Sequence, residues 1–199
     1  EKRIPRLPVF MDSPMAVRVT EVFARHPELF DEETRELVRS GKHPCDFPGL
    51  VMTRTVAESK AIQQHKGTAI IVAGSGMCTG GRIKHHIAHN VTRPESTLLF
   101  IGYQARGTLG RIILEGAPEI RVLGKTFPVE MRIARINGFS AHADRTELLR
   151  WVTALRQPPR RVFVSHGEPE AASAFADQVR EATGWETVVP EYRQSVELD

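Results

Sequence analysis

Cysteine is scarce in this chain: two residues, Cys45 and Cys78, in 199. Two cysteines build no disulfide framework, so a reducing compartment, the cytoplasm, is the expected setting. No apolar run approaches the roughly 20 residues of a membrane span, and no signal peptide or tail anchor is visible, so no membrane association is expected. Neither sign of charge dominates. Lys and Arg number 27 against 24 Asp and Glu, which leaves +3 with the eight histidines neutral. That balance permits a polyanionic partner and does not require one. Internal repeats and low-complexity tracts are missing too, which argues against solenoids and disordered linkers. The chain also begins without methionine, on "EKRIPRLPVFMD", a polar lead-in that runs straight into a strand. It therefore reads as a piece of a longer protein.

What is present is an alternation of short apolar runs with amphipathic segments. At 41% hydrophobic and 26% charged residues, the composition is that of a globular protein, long enough for one domain with a sizeable core or for two small ones. Strands are expected at residues 8–11, 50–53, 69–73 and 98–101, the run "AIIVA" at 69–73 being the clearest buried strand. Helices are expected at 15–25, 31–40, 56–64 and 82–89. Asp12 or Ser13 is the N-cap candidate of the first, with Pro14 in its first turn. Short strands alternating with helices imply an α/β fold, a mostly parallel sheet flanked by helices. Between about 119 and 136 the pattern changes to two strands joined at Gly124-Lys125, a hairpin signal. A helix at 145–155, a strand at 161–164, a helix at 170–183 and a last strand at 186–189 complete the chain.

Two glycine-rich loops stand out. "AGSGMCTGGRIKHH" runs from a strand through a loop into a helix, where backbone N–H groups and the helix dipole suit an anion. It is not a P-loop, because no Lys-Ser/Thr pair follows the glycines, and Thr79 stands where GxGxxG needs its third glycine. Nor is Ser75 in a nucleophile elbow, since Ala73 and Met77 replace the required glycines. A tight strand-to-helix turn is the plainer explanation. "YQARGTLGRIIL" offers backbone amides and the forked donors of Arg106 and Arg111; there a solvated loop is the plainer explanation. His85 and His89 have metal-like spacing but no third ligand, so an exposed or RNA-facing helix is expected for His85, His86 and His89.

Two further histidines carry more signal. His142 in "FSAHAD" lies between Ser140 and Asp144, where a helix begins. Its small neighbours leave room for a substrate, and Asp144 is placed either to cap the helix or to orient the ring. His166 in "VSHGE" follows the strand "RVFV", at the carboxyl end where α/β folds place functional groups. An imidazole there can bind zinc or pass a proton. One loop histidine is usually unremarkable chemistry; two at strand-to-helix junctions are less so.

Taken in order, "FMDSPMA", "AGSGMCTGGRIKHH", "IGYQARGTLG", "INGFSAHAD" and "VSHGE" resemble the β-CASP branch of the metallo-β-lactamase superfamily. These are RNA-processing nucleases that include the cleavage-and-polyadenylation endonuclease and its bacterial and archaeal relatives. The resemblance covers essentially the whole chain. It implies most of a β-CASP domain in residues 1–137 and an incomplete C-terminal segment of the metallo-β-lactamase αββα domain in 138–199. It implies that His142 acts at the scissile phosphate as general acid or transition-state stabiliser, and that His166 is a zinc ligand. It further implies RNA phosphate contacts at Ser75, Gly76, Met77, Ser140 and Ala141, which Arg106 and Arg111 suit as well. The intact enzymes of that family hold two zinc ions. Their main metal motif, H-x-H-x-D-H, is absent here. This chain is therefore expected to be a C-terminal fragment that holds no zinc and is inactive alone. Apolar surface left uncovered near 138–199 is expected to favour a homodimer or disorder.

The reaction so implied for the intact enzyme is metal-assisted hydrolysis of RNA phosphodiesters, with His142 protonating the leaving oxygen. Three rivals remain. An RNA-binding module that never cuts fits a chain without the metal motif. A Ser-His-Asp hydrolase would use Ser75, His142 and Asp144. A nucleotide-binding α/β domain lacks the acidic residue expected at the end of a second strand.

Overall fold

A computed structural model describes residues 5–42 and 45–197. They belong to two compact units, Glu1–Asn137 and Gly138–Asp199. In the first, β1 (Val9–Met11) leads into α1 (Pro14–Ala24). Ser13 is the N-cap: its backbone is extended and its Oγ accepts from the Ala16 N–H at 3.3 Å, with Pro14 in the first turn. A 3-10 turn (Pro27–Leu29), α2 (Glu32–Arg39), β2 (Leu50–Met52) and α3 (Val56–Ile62) follow. Thr55 and Glu58 cap α3 reciprocally. Then come β3 (Ile70–Val72), α4 (Ile83–Asn90), β4 (Thr97–Phe100) and α5 (Leu109–Leu114). The hairpin of β5 (Glu119–Val122) and β6 (Lys125–Pro128) precedes β7 (Arg132–Arg135).

The chain adopts the α/β architecture read from its sequence. β1 is the middle of a parallel sheet of order β2-β1-β3, with Val9 opposite both Leu50 and Ile70. β4 pairs in parallel with β7, Thr97 opposite Arg132. The core gathers on α4 and α5, around Ile87, Val91, Phe100, Ile113 and Val122. Ile87 and Ile113 are 1% and 0% exposed, and full burial of each contributes on the order of 2 kcal/mol.

Two strand expectations are corrected. The segment 119–136 holds three strands, not two. The Val129 N–H turns back to the Pro118 carbonyl, and those of Glu130 and Met131 donate to the Val91 carbonyl. These bonds end the hairpin and deliver the chain to β4. β3 is also not the most buried strand. It is at the end of its sheet, and Ile70 and Val72 are nearly half exposed.

In the second unit α6 (Arg145–Thr153), β8 (Val162–Phe163), α7 (Pro169–Thr183) and β9 (Thr187–Val188) follow one another. β8 and β9 pair in parallel, Val162 opposite Thr187. Ala172, Ala176 and Val179 recur at helical spacing along the buried face of α7, which packs on α6. The Thr187 hydroxyl donates to the Ala176 carbonyl at 3.0 Å and so ties β9 to that helix. Phe139, Trp151 and Tyr192 stay largely exposed. Among the described residues no helix is long and apolar enough to cross a membrane.

The β5–β6 turn puts Leu123 at φ +50° and Gly124 at φ +79°, the left-handed pair that this two-residue hairpin turn demands. Glycine adopts that conformation freely, whereas a leucine there is strained by about 1 kcal/mol. Leu123→Asn is therefore expected to stabilise the chain by about 0.5–1 kcal/mol, read as a higher urea midpoint. A lowered midpoint would mean that packing of the half-exposed leucine outweighs its strain.

Candidate functional site

Just beyond the carboxyl ends of β1 and β2 lies a fully buried carboxylate, Asp12. Its Oδ1 accepts from the Thr53 hydroxyl at 2.5 Å and from Arg82 Nη1 at 2.6 Å. Its Oδ2 accepts from the Ser59 hydroxyl at 2.6 Å and from His86 Nε2 at 2.7 Å. Burial by itself would push this carboxyl up; the bonds from Ser59, Thr53, His86 and Arg82 outweigh it and hold the pKa down at about 2. Arg82 reaches further, donating to the Thr53 and Arg54 carbonyls. His86 is buried, not exposed as expected, because its ring closes this network; its Nδ1 has no hydrogen-bond partner among the described residues. His85 and His89 remain exposed on α4.

Asp12 thus turns out to be more than a cap candidate. The signal available in the sequence was its position, an acid directly after a short apolar run. Its partners at 53, 59, 82 and 86 were invisible before the fold placed them.

The two glycine-rich loops meet. Gln104 Nε2 donates to the Gly76 carbonyl at 3.0 Å, and the Gly110 N–H donates to the Met77 carbonyl at 3.0 Å. The Ala105 N–H points at the Met77 sulfur, 3.2 Å away. Gly81 closes the first loop at φ +68°; a Cβ there would sit 2.6 Å from the Gly74 carbonyl oxygen. Ser75, Gly76, Met77 and Arg106 therefore belong to one interlocked surface, on which Gly76 and Arg106 are exposed. Arg111 is engaged within the protein: its Nε donates to Glu115 Oε1 at 2.6 Å and its Nη1 to the Gln104 carbonyl at 3.4 Å.

In the second unit Ser140, Ala141 and His142 share the exposed loop before α6. Ser140 Oγ accepts from the His142 N–H at 3.2 Å and lies 3.2 Å from His142 Nδ1. Asp144 takes the capping role, not the ring-orienting one. Its Oδ1 accepts from the Glu147 N–H at 2.9 Å, and the Asp144 N–H donates in return to Glu147 Oε2 at 3.0 Å. The Ser-His-Asp reading thereby loses its Asp–His link. Ser75, its supposed nucleophile, has the Thr79 hydroxyl 3.5 Å away. His166 is exposed beyond β8, beside Gly167 at φ +136°.

A catalytic zinc takes about three protein ligands. Among the described residues no group of three or more His, Cys, Asp or Glu could hold a metal ion. His166 is one donor, and the donor set of the described residues does not fit a zinc centre by itself.

Two family profiles match this chain: "Beta-Casp domain" over residues 1–113, and "Zn-dependent metallo-hydrolase RNA specificity domain" over residues 126–190. Ribonuclease TTHA0252 of Thermus thermophilus is 41% identical over 173 residues, which are 87% of this chain and 39% of that protein. Transcription termination factor FttA of Methanosarcina mazei is 34% identical over 182 residues, 88% of this chain and 28% of its own length. Its namesake in Methanocaldococcus jannaschii is 31% identical over 189 residues, 92% and 30%. The chain spans two fifths or less of the length of these relatives.

The Asp12 network makes a pH-dependent contribution to stability. The folded-state pKa, about 2, lies below the unfolded value near 3.9. The stabilisation is then complete above that unfolded value and is lost as pH falls through it toward 2. Its size is on the order of 2–3 kcal/mol. Asp12→Asn is expected to unfold at lower urea than the parent at neutral pH, with the gap narrowing toward about pH 3. A gap that is the same at every pH would show that the charge of Asp12 is not what the network uses.

Proposed function

The chain belongs to the β-CASP branch of the metallo-β-lactamase superfamily, and we propose that it forms the RNA-contacting part of a zinc-dependent ribonuclease. The observation that carries this reading is the interlocking of two glycine-rich loops within the β-CASP match, which joins the segment of exposed Gly76 to that of exposed Arg106, a side chain suited to phosphate. Ser75, Gly76, Met77 and Arg106 meet the RNA backbone there, and Ser140 and Ala141 do so in the second unit. We infer a cytoplasmic setting, which an RNA substrate and the scarcity of cysteine favour.

His142 is the proton donor to the leaving oxygen of the cut phosphodiester. Ser140 Oγ lies 3.2 Å from Nδ1, where it can accept from the Nδ1–H of the imidazolium that acts as the acid, and Nε2–H is the proton handed to the leaving oxygen. His166 offers one imidazole to a metal whose other donors lie outside the described residues. The names of the two termination-factor relatives favour one variant of this reading, in which the RNA is a transcript undergoing termination.

By itself the chain is expected to retain a short labelled RNA in EDTA without cutting it. Extended to the length of its relatives, the protein is expected to bind zinc and cut. In that longer protein His142→Ala should lower the cleavage rate by about 10²–10⁴-fold while changing RNA affinity less than about threefold. Cleavage by the chain alone, abolished in His142→Ala, would contradict the need for outside donors. Zinc-loaded longer protein that binds RNA and never cuts it would leave the RNA-binding module as the right reading.

A further inference from the structure

Gln104 is 3% exposed, while its chain neighbours Tyr103 and Arg106 lie on the surface. Its Nε2 faces three carbonyls: Gly76 at 3.0 Å, Tyr103 at 3.0 Å and Gly102 at 3.4 Å. An amide nitrogen can donate to carbonyls and an amide oxygen cannot, so this arrangement fixes which way the side chain is turned. Its Oε1 has no hydrogen-bond partner among the described residues. That oxygen faces Gly110, where an added Cβ would sit 1.8 Å from it and 3.2 Å from the Met77 carbonyl oxygen. The Gly110 N–H in turn donates to that same Met77 carbonyl. Two segments distant in sequence are thus fitted together, an amide on one against a missing side chain on the other.

Stability alone does not explain the glutamine. A buried carbonyl oxygen left unpaired is unfavourable, and an apolar side chain of similar length would avoid it. Two of the amide's carbonyl partners, Gly102 and Tyr103, lie in its own loop; the bond to the Gly76 carbonyl is the one that spans to the first loop. The residues assigned above to phosphate flank this contact in sequence: Ser75, Gly76 and Met77 on one side, and Arg106 on the other.

We propose that Gln104 is a positioning residue for RNA binding. Its amide locks the loop at 74–81 against the loop at 102–108, in the one arrangement where both meet the same stretch of RNA backbone. Gln104 itself touches no RNA. This inference rests on the reading of the two loops as RNA contacts.

The test uses the 199-residue chain with Gln104→Glu and Gln104→Met, a fluorescein-labelled oligouridine in EDTA, and amide hydrogen exchange. A glutamate at this site cannot donate when ionised, but its protonated form can donate to the Gly76 carbonyl, and burial favours that protonated form. Near pH 8, Gln104→Glu is expected to bind the RNA about tenfold more weakly than the parent and to exchange the Gly110 amide about tenfold faster. Near pH 5.5 both gaps, taken against the parent at the same pH, should close to within about threefold. Gln104→Met cannot donate at any pH and should show both losses throughout, with its thermal midpoint within a few degrees of the parent. This second variant decides the matter if the glutamate chain fails to fold. Parent-like exchange at Gly110 in Gln104→Met overturns the proposal. So does faster exchange with unchanged RNA affinity, since the lock would then not serve binding. A parent chain that binds no RNA overturns the RNA reading and, with it, the role in binding; the exchange data then show separately whether the lock exists.

Discussion

A carboxylate with no solvent contact is tolerated only when every lone pair is answered, and the first unit is arranged around meeting that requirement at Asp12. The four donors come from four places: Thr53 after β2, Ser59 in α3, Arg82 at the start of α4 and His86 within it. The Asp12 N–H donates to the Val72 carbonyl, which brings in β3 as well. The ends of three parallel strands and two helices therefore converge on one side chain. Arg82 is also where the first glycine-rich loop becomes α4, so the position of that loop is inherited from the network.

The surface built on this anchor uses backbone more than side chains. The first loop is shaped by the close approach of Gly81 to Gly74 and by bonds to the carbonyls of Gly76 and Met77. Contacts of that kind fix the shape of the loops and tie one to the other; the phosphate contacts proposed for this surface would fall to donors that they leave exposed. In the second unit the labour around His142 is divided. Ser140 engages the ring while Asp144 and Glu147 fix the start of α6, so the histidine sits on the lip of a capped helix. Its proposed proton transfer needs that kind of support, since a misplaced donor loses most of its effect.

Much of this was legible beforehand. The order of strands and helices, the parallel α/β class and the glycine-led ends of helices follow from local patterning, which acts over a few residues. The family resemblance was legible for a similar reason, because its motifs are short and contiguous. What depended on distant partners was not. Asp12 looked like a helix cap, and Ser13 beside it took that role. His86 looked like its exposed neighbours at 85 and 89, and the step of about 100° between successive helix residues buried it against Asp12. Arg111 looked available for phosphate, and Glu115 one turn on holds it. The stretch at 119–136 shows the same limit: its apolar run continues past Pro128, but pairing with Val91 and β4 divides it.

Photochemical cross-linking tests the central claim most directly. A 4-thiouridine oligonucleotide would be irradiated with the chain in EDTA and the attached peptides identified by mass spectrometry. Adducts are expected within residues 74–81, 102–111 and 138–144, and competition with unlabelled RNA should remove them. Adducts confined to other surfaces, or none that RNA competes away, would contradict the assignment of these loops to RNA.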